Sequence, residues 1–263
     1  MLSFPYLWDE GSLPESEPIE IVTWADGTDE QIVAMVEAAD RGEIELTDYW
    51  AVDDTRSVNI ASFSGNTTAT HVAQTVEVVL MHEGLYQTTD NKTVNFVIGF
   101  KDFLANGTNR EGEKMNSSDT NSGSWRDSLM RTLCNGNLYN ALPTWLRNII
   151  KTVKVTTGVY TGNNTGGTNI VTEDKIFLAA EKEVQGSKTY STDNEAGVLT
   201  QLTYYTTAAN RIKKAGASGS ASQWWVRSPR YYHADSFCNV GNNGGASGNA
   251  ASHGFGLAPC MCI

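Results

Sequence analysis

The last forty residues constrain this chain more than any other part. From Trp224 to Ile263 it reads WWVRSPRYYHADSFCNVGNNGGASGNAASHGFGLAPCMCI. Trp, Arg-Ser-Pro, Phe-Cys, Val, Ala-Pro and Cys-Ile recur at short intervals, and such residues are buried or fix turns. Between them lie Tyr, His, Asp, Ser, Asn and Gly, the composition that antibody binding loops use. That alternation calls for polar loops carried on a fixed scaffold rather than a catalytic pocket. A flexible Gly/Asn/Ser loop without function is the plain alternative. Against it stand Phe237, Cys238, Val240, Phe255, Leu257, Pro259, Cys262 and Ile263, which bracket the polar stretches closely enough to anchor them. Long ordered surface loops are where binding concentrates.

The rest of the chain is compatible with such a scaffold. Its 263 residues, 40% hydrophobic and 19% charged, suffice for one large domain or two small ones with a sizeable core. No apolar run approaches the ~18 residues of a membrane span, so no membrane insertion is expected. The opening MLSFPYLWDEGSLPESEP lacks the basic and apolar regions of a signal peptide. Residues 1–25 read as an N-terminal arm or linker, through which the chain could form a homo-oligomer or dock onto a larger assembly; residues 26–263 read as the folded domain. A net charge of −11 opposes nucleic acid as a partner, because phosphate binding needs a basic face. Cys134, Cys238, Cys260 and Cys262 read as reduced core thiols. Cys260-Met-Cys262 is too tight for an ordinary zinc pair, so no metal and no cofactor are expected.

Periodicity supplies the elements. TDEQIVAMVEAADRG predicts a helix with a Thr28/Gln31 capping box, an apolar face of Ile32, Met35, Val36 and Ala39, and Gly42 past its end. Strand chemistry follows in 48–63, 71–84 and 91–102. The second is apolar on both faces, as a central strand is. Helices are predicted in SWRDSLMRTLCNG, with Trp125, Leu129, Met130 and Leu133 at helical spacing, and in a segment opened by Pro143. KVTTGVYTG and KIFLAAEKEV read as strands, the second turning helical, and LTQLTYYTTAANRIKK as a short helix or irregular piece. Helix, strands, helices and a closing segment of short strands make an α+β protein.

Catalytic signatures are missing. The glycines at 241, 244, 245 and 248 do not form a dinucleotide fingerprint, and there is no Gly-Lys-Ser/Thr, G-x-S-x-G or H-E-x-x-H. In the run beginning Trp224-Trp225, one indole is expected to pack inward and the other outward, since neighbouring strand residues face opposite sides. Arg227 then shares the face of Trp225, either tying loops together through its planar fork of donors or standing solvated beside a core Trp.

WWVRSP, then FCNV, a Gly-rich spacer, Gly-Leu-Ala-Pro and a terminal Cys-Ile resemble the C-terminus of variable proteins diversified by retroelements, many of them phage-encoded. GTDEQIVAMVEAADRGEI, DYWAVDDTRSV, MNSSDTNSGSWRDSLMRTLCN, LAAEKEV and TAANRIKK resemble the same family. The resemblance implies a C-type-lectin-like fold of the formylglycine-generating-enzyme kind, with a small antiparallel sheet, flanking helices and a loop-rich C-terminal ligand-binding face, the variable region spanning about 224–263. Position by position, it implies diversified contacts at Tyr231, Tyr232, His233, Ala234, Asp235, Ser236, Asn239, Gly241, Asn242, Asn243, Ser247, Gly248, Asn249, Ser252, His253 and Phe255. The implied fixed frame is Trp224, Arg227, Ser228, Pro229, Phe237, Cys238, Val240, Gly244, Ala251, Gly256, Pro259, Cys262 and Ile263. Cys260 and Met261 depart from the small residue and Phe often found there. Diversification at template adenines turns Asn codons into any codon ending in C, which cannot encode Lys, Glu, Gln, Met or Trp. From Arg230 to Gly256 none of these five residues occurs.

The implied function is non-catalytic binding of a cell-surface protein or glycan of a bacterial host, from a phage tail tip or a bacterial surface as an adhesin. The competing reading is a formylglycine-generating-type copper oxidase, for which Cys260 and Cys262 are the only close cysteine pair. Calcium-dependent sugar binding is opposed by the absence of Glu-Pro-Asn, Gln-Pro-Asp and Trp-Asn-Asp.

Overall fold

The computed structural model describes residues 19–67, 70–105, 112–216 and 219–263. The chain opens with helix α1 (Asp29–Asp40), followed by strands β1 (Thr55–Ile60), β2 (Phe63–Ser64), β3 (Thr70–His71), β4 (Gln74–Glu83) and β5 (Phe96–Phe100). Short helices α2 (Leu129–Leu133), α3 (Tyr139–Ala141) and α4 (Thr144–Ile149) come next, with a π-helical turn at Cys134–Leu138. Strands β6 (Val153–Thr157), β7 (Ile170–Asp174) and β8 (Ile176–Leu178) precede helices α5 (Glu181–Gln185) and α6 (Asp193–Ala196). The chain closes with β9 (Trp224–Pro229), β10 (Ser236–Val240), β11 (Ala246–Ala250) and β12 (Pro259–Cys262). The protein is α+β, with small antiparallel sheets.

The main sheet has the order β1-β4-β5-β12-β8. β4 lies inside it, as its two apolar faces predict, and every residue of β5 and β12 is buried. β9, β10 and β11 form a second sheet with β10 in the middle. The closing segment therefore leaves the body through β9, crosses a small sheet and returns as β12 between β5 and β8. Both of its ends are locked into buried strands.

α1 forms where the sequence places it. Thr28 Oγ1 accepts from Gln31 N and Gln31 Oε1 from Thr28 N, so two end amides that lack helical partners are satisfied. Ile32, Met35 and Val36 are buried with Ala38, while Ala39 is half-buried. Trp24 was expected in the arm, yet it is fully buried, its ring 5.3 Å from Trp50 and 6.5 Å from Trp145. An indole of that size is held by the core wherever it can reach it, so the packed body starts before residue 26. The rest of the predicted arm, residues 1–18, lies outside the described residues. Trp125 precedes α2 rather than joining it, and Leu129 is exposed. β7 is a strand that periodicity did not disclose. Residues 203–211 form two 3-10 turns. No helix among the described residues is long and apolar enough to cross a membrane.

Candidate functional site

All thirteen residues of the expected frame are buried. Both Trp224 and Trp225 are fully buried, which corrects the expectation of one outward indole. They do face opposite sides of β9, but each side is covered. Trp224 stacks on Tyr205 at 5.9 Å and donates its Nε1–H to Arg211 O. Trp225 packs on Phe255 at 4.8 Å and donates its Nε1–H to Glu113 O at 2.7 Å. Arg227 is buried and ties elements together. It forms a two-pronged pair with Glu183 at 2.6 and 2.9 Å, and donates to Leu178 O and Thr156 O. Burial alone would lower the Arg227 pKa, but the neighbouring Glu183 carboxylate outweighs it and the value is raised.

The expected contact residues divide into groups. Tyr232, His233, Ala234 and Asp235 are exposed in the β9–β10 loop, with Tyr231 half-buried beside them. The Tyr231 and Tyr232 rings lie 4.2 Å apart, and His233 Nδ1 is 3.8 Å from Asp235 Oδ1. After β11, His253 is exposed, and Ser252 and Phe255 are half-buried. Ser236 pairs with Ala250 and Val240 with Ala246, so residues 231–235 and 251–255 emerge at the same end of the small sheet. Gly241, Asn242 and Asn243 sit in the β10–β11 turn at the opposite end, about 14 Å away by strand rise. Ser247, Gly248 and Asn249 lie half-buried along edge strand β11. Ser236 and Asn239, at 4% and 1% exposure, are inside the frame because β10 is the central strand. Asn239 donates to Gln223 Oε1 and accepts from Asn249 Nδ2. Gly248 has a packing reason to be glycine, since a Cβ there would lie 2.3 Å from Arg230 Cδ. Arg230 itself stacks over Tyr190 at 4.9 Å.

The two neighbouring loops are joined by residues that sequence reasoning assigned no role. Segment 113–121 runs between them. Glu113 and Phe255 exchange both backbone hydrogen bonds, Asn116 N donates to Ala251 O, and Ser252 N donates to Asp119 Oδ1. Asn121 N donates to Ala234 O at 2.7 Å. The Asn121 side-chain amide donates to His233 O at 2.7 Å and Ser236 O at 2.9 Å, with a longer contact to Arg230 O at 3.4 Å. Asp119 is exposed, and its carboxyl is held below the usual range by hydrogen bonds from Ser252. The chain can turn away after Asn121 because Gly123 and Ser124 take φ of +76° and +57° in succession. The Ser124 hydroxyl, donating to Gly158 O at 2.6 Å, holds the less favourable of the two. Beneath the segment, Glu113 Oε1 pairs with buried His71 Nε2 at 2.7 Å.

α5 supports the face from the other side. Glu181 accepts from the backbone N–H groups of Thr189, Tyr190 and Ser191, and Tyr190 O accepts from Tyr231 N at 2.9 Å. Sequence reading gave the acids of LAAEKEV no role, although two acids among small apolar residues at a helix start are suited to buried pairing. Nearby Glu195 is fully buried, accepts from Gly158 N, and is pushed by burial to a pKa of about 7. All four cysteines are free and buried, and burial drives the Cys260 thiol up to about 12 and the Cys262 thiol upward as well. Among the described residues, clefts of about 270, 330 and 370 Å³ open elsewhere, and none of these is lined by any of residues 231–255.

The arrangement is thus an α+β scaffold presenting polar loops on buried anchors. The chain belongs to the DUF6273 family, a domain of unknown function, whose model matches residues 91–263, more than half of the chain. No curated protein and no solved structure matches it.

Proposed function

We propose that the protein is a non-catalytic binding protein of C-type-lectin-like kind, whose ligand face is built by residues 231–235 and 252–255 and is diversified by a retroelement. The observation that carries this reading is the division of labour in the closing segment. Its frame residues are buried, whereas the exposed ones are attached to the scaffold largely through backbone groups, which every side chain shares. Tyr231, Tyr232 and His233 supply amphipathic contact area with few rotamers to freeze, and Asp235, Ser252 and His253 supply hydrogen bonds. The ligand is a surface protein or glycan of a bacterial host, bound from a phage tail tip or as an adhesin, with several copies adding avidity to a small face. Burial and raised pKa values at Cys260 and Cys262 weigh against the copper oxidase, because the thiolate is what binds metal.

The test exchanges residues 231–235 and 252–255 for those of a second natural variant and measures binding of purified protein to a panel of bacterial cells. The preference should follow the exchanged residues. An unchanged preference would overturn the reading.

A further inference from the structure

We infer that Asn121 is a positioning residue that makes the geometry of the β9–β10 loop independent of the side chains it carries. The inference rests on the reading of residues 231–235 as a displayed, exchangeable loop, and extends it to a residue outside the closing segment. Asn121 is 2% exposed, and its amide N–H groups and backbone N–H all point at carbonyls of Arg230, His233, Ala234 and Ser236. Those carbonyls span the loop from its first residue to its last. Each belongs to the main chain, so substitution at 231–235 leaves every acceptor in place. Further ties on the loop, Tyr231 N to Tyr190 O, Ala251 N to Asp235 O, Arg230 N to Ser236 O and Ser236 N to His233 O, are also main-chain bonds. The requirement is for a donor: a carboxylate of the same shape would set oxygen against three carbonyl oxygens, and Asn121 Oδ1 has no partner among the described residues to compensate. Asn121 itself is fixed by the left-handed pair Gly123–Ser124 and by Ser124 N donating to Asn121 O. A single side chain thus adds three main-chain contacts to the loop whatever its sequence.

The test needs no ligand, so its failure is distinct from failure of the binding reading. Five loop variants, each replacing 231–235 by a different mixture of Ser, Asn, Tyr, Asp and Gly, are made in the parent and in Asn121→Ala and Asn121→Asp backgrounds. Amide exchange, as protection relative to the unfolded chain, is followed at Arg230, at position 231, at Ser236 and at Ala251, together with exchange in β5 as a measure of global stability. In the parent background, protection at the four amides should stay the same across loop variants. In both Asn121 backgrounds it should fall about tenfold or more and scatter with loop sequence, while β5 keeps its protection. Equal scatter in the parent and Asn121 backgrounds would overturn the inference. So would an Asn121→Asp variant that protects the loop as the parent does, since that would reduce Asn121 to a space-filling role. Loss of β5 protection in step with the loop would also overturn it, as a general effect on folding.

Discussion

Arg227 and Glu183 form a buried two-pronged ion pair, N–O 2.6 and 2.9 Å, that joins β9 to the start of α5. The same carboxylate accepts from Ala180 N and from Tyr86 Oη. Arg227 also reaches backbone carbonyls of β6 and β8, so four elements meet at one guanidinium. Whatever the exposed loops carry, the strand that launches them is fixed from below. Arg227→Met strands the Glu183 charge and should cost about 3–5 kcal/mol, read as a lower urea midpoint. A double Arg227→Met, Glu183→Met variant should lose less than that single one. A single replacement without effect would remove the pair from the scaffold.

The frame and the face should respond differently to truncation. Trp225→Ala removes an indole packed on Phe255 and bonded to Glu113 O, and should cost about 3–5 kcal/mol. Tyr232→Ser, His233→Ala, Asn242→Ala and His253→Ala alter exposed groups and should each stay within about 0.5 kcal/mol of the parent. Urea denaturation of the five variants measures the contrast.

Glu195 makes stability depend on pH. Its pKa is about 7 when folded, against 4.5 in the exposed state, so between these values the folded protein holds a proton that the unfolded chain has released. The stabilisation is full below pH 4.5 and is lost as pH rises through 7, on the order of 3 kcal/mol in all. Glu195→Gln should remove this component of the slope between pH 4.5 and 7, measured by denaturation at a series of pH values.

The thiols should be silent in the native state. With all four buried and burial raising the pKa of each, Cys134, Cys238, Cys260 and Cys262 should react with a thiol reagent only after unfolding. Prompt native-state reaction of Cys260 and Cys262, with copper uptake by the pair, would instead favour the oxidase.

Much of this architecture was legible in the sequence, for identifiable reasons. Large apolar and turn-fixing residues such as Trp224, Pro229, Phe237 and Cys262 have one stable location, and each is buried. The capping box at Thr28 and Gln31 is a local code, so it could be read locally. Asn121 could not, because a polar residue in MNSSDTNSGS reads as an ordinary loop until the distant carbonyls it serves are known. One of Trp224 and Trp225 was expected to face outward because strand alternation cannot reveal that segment 113–121 and Phe255 cover the second face. Ser236 and Asn239 look like display residues by type, yet the central position of β10 takes both out of solvent. The separation of Asn242 and Asn243 from the other loops likewise follows from hairpin direction, which composition does not encode.

The most direct measurement randomises Tyr231, Tyr232, His233, Ala234, Asp235, Ser252 and His253 together, displays the resulting library and selects it against several unrelated bacterial surface proteins. Folded binders specific to different targets should emerge, each melting within a few degrees of the parent, because the frame beneath them is untouched. A library in which most members fail to fold, or in which no target yields a binder, would contradict the separation of frame from face.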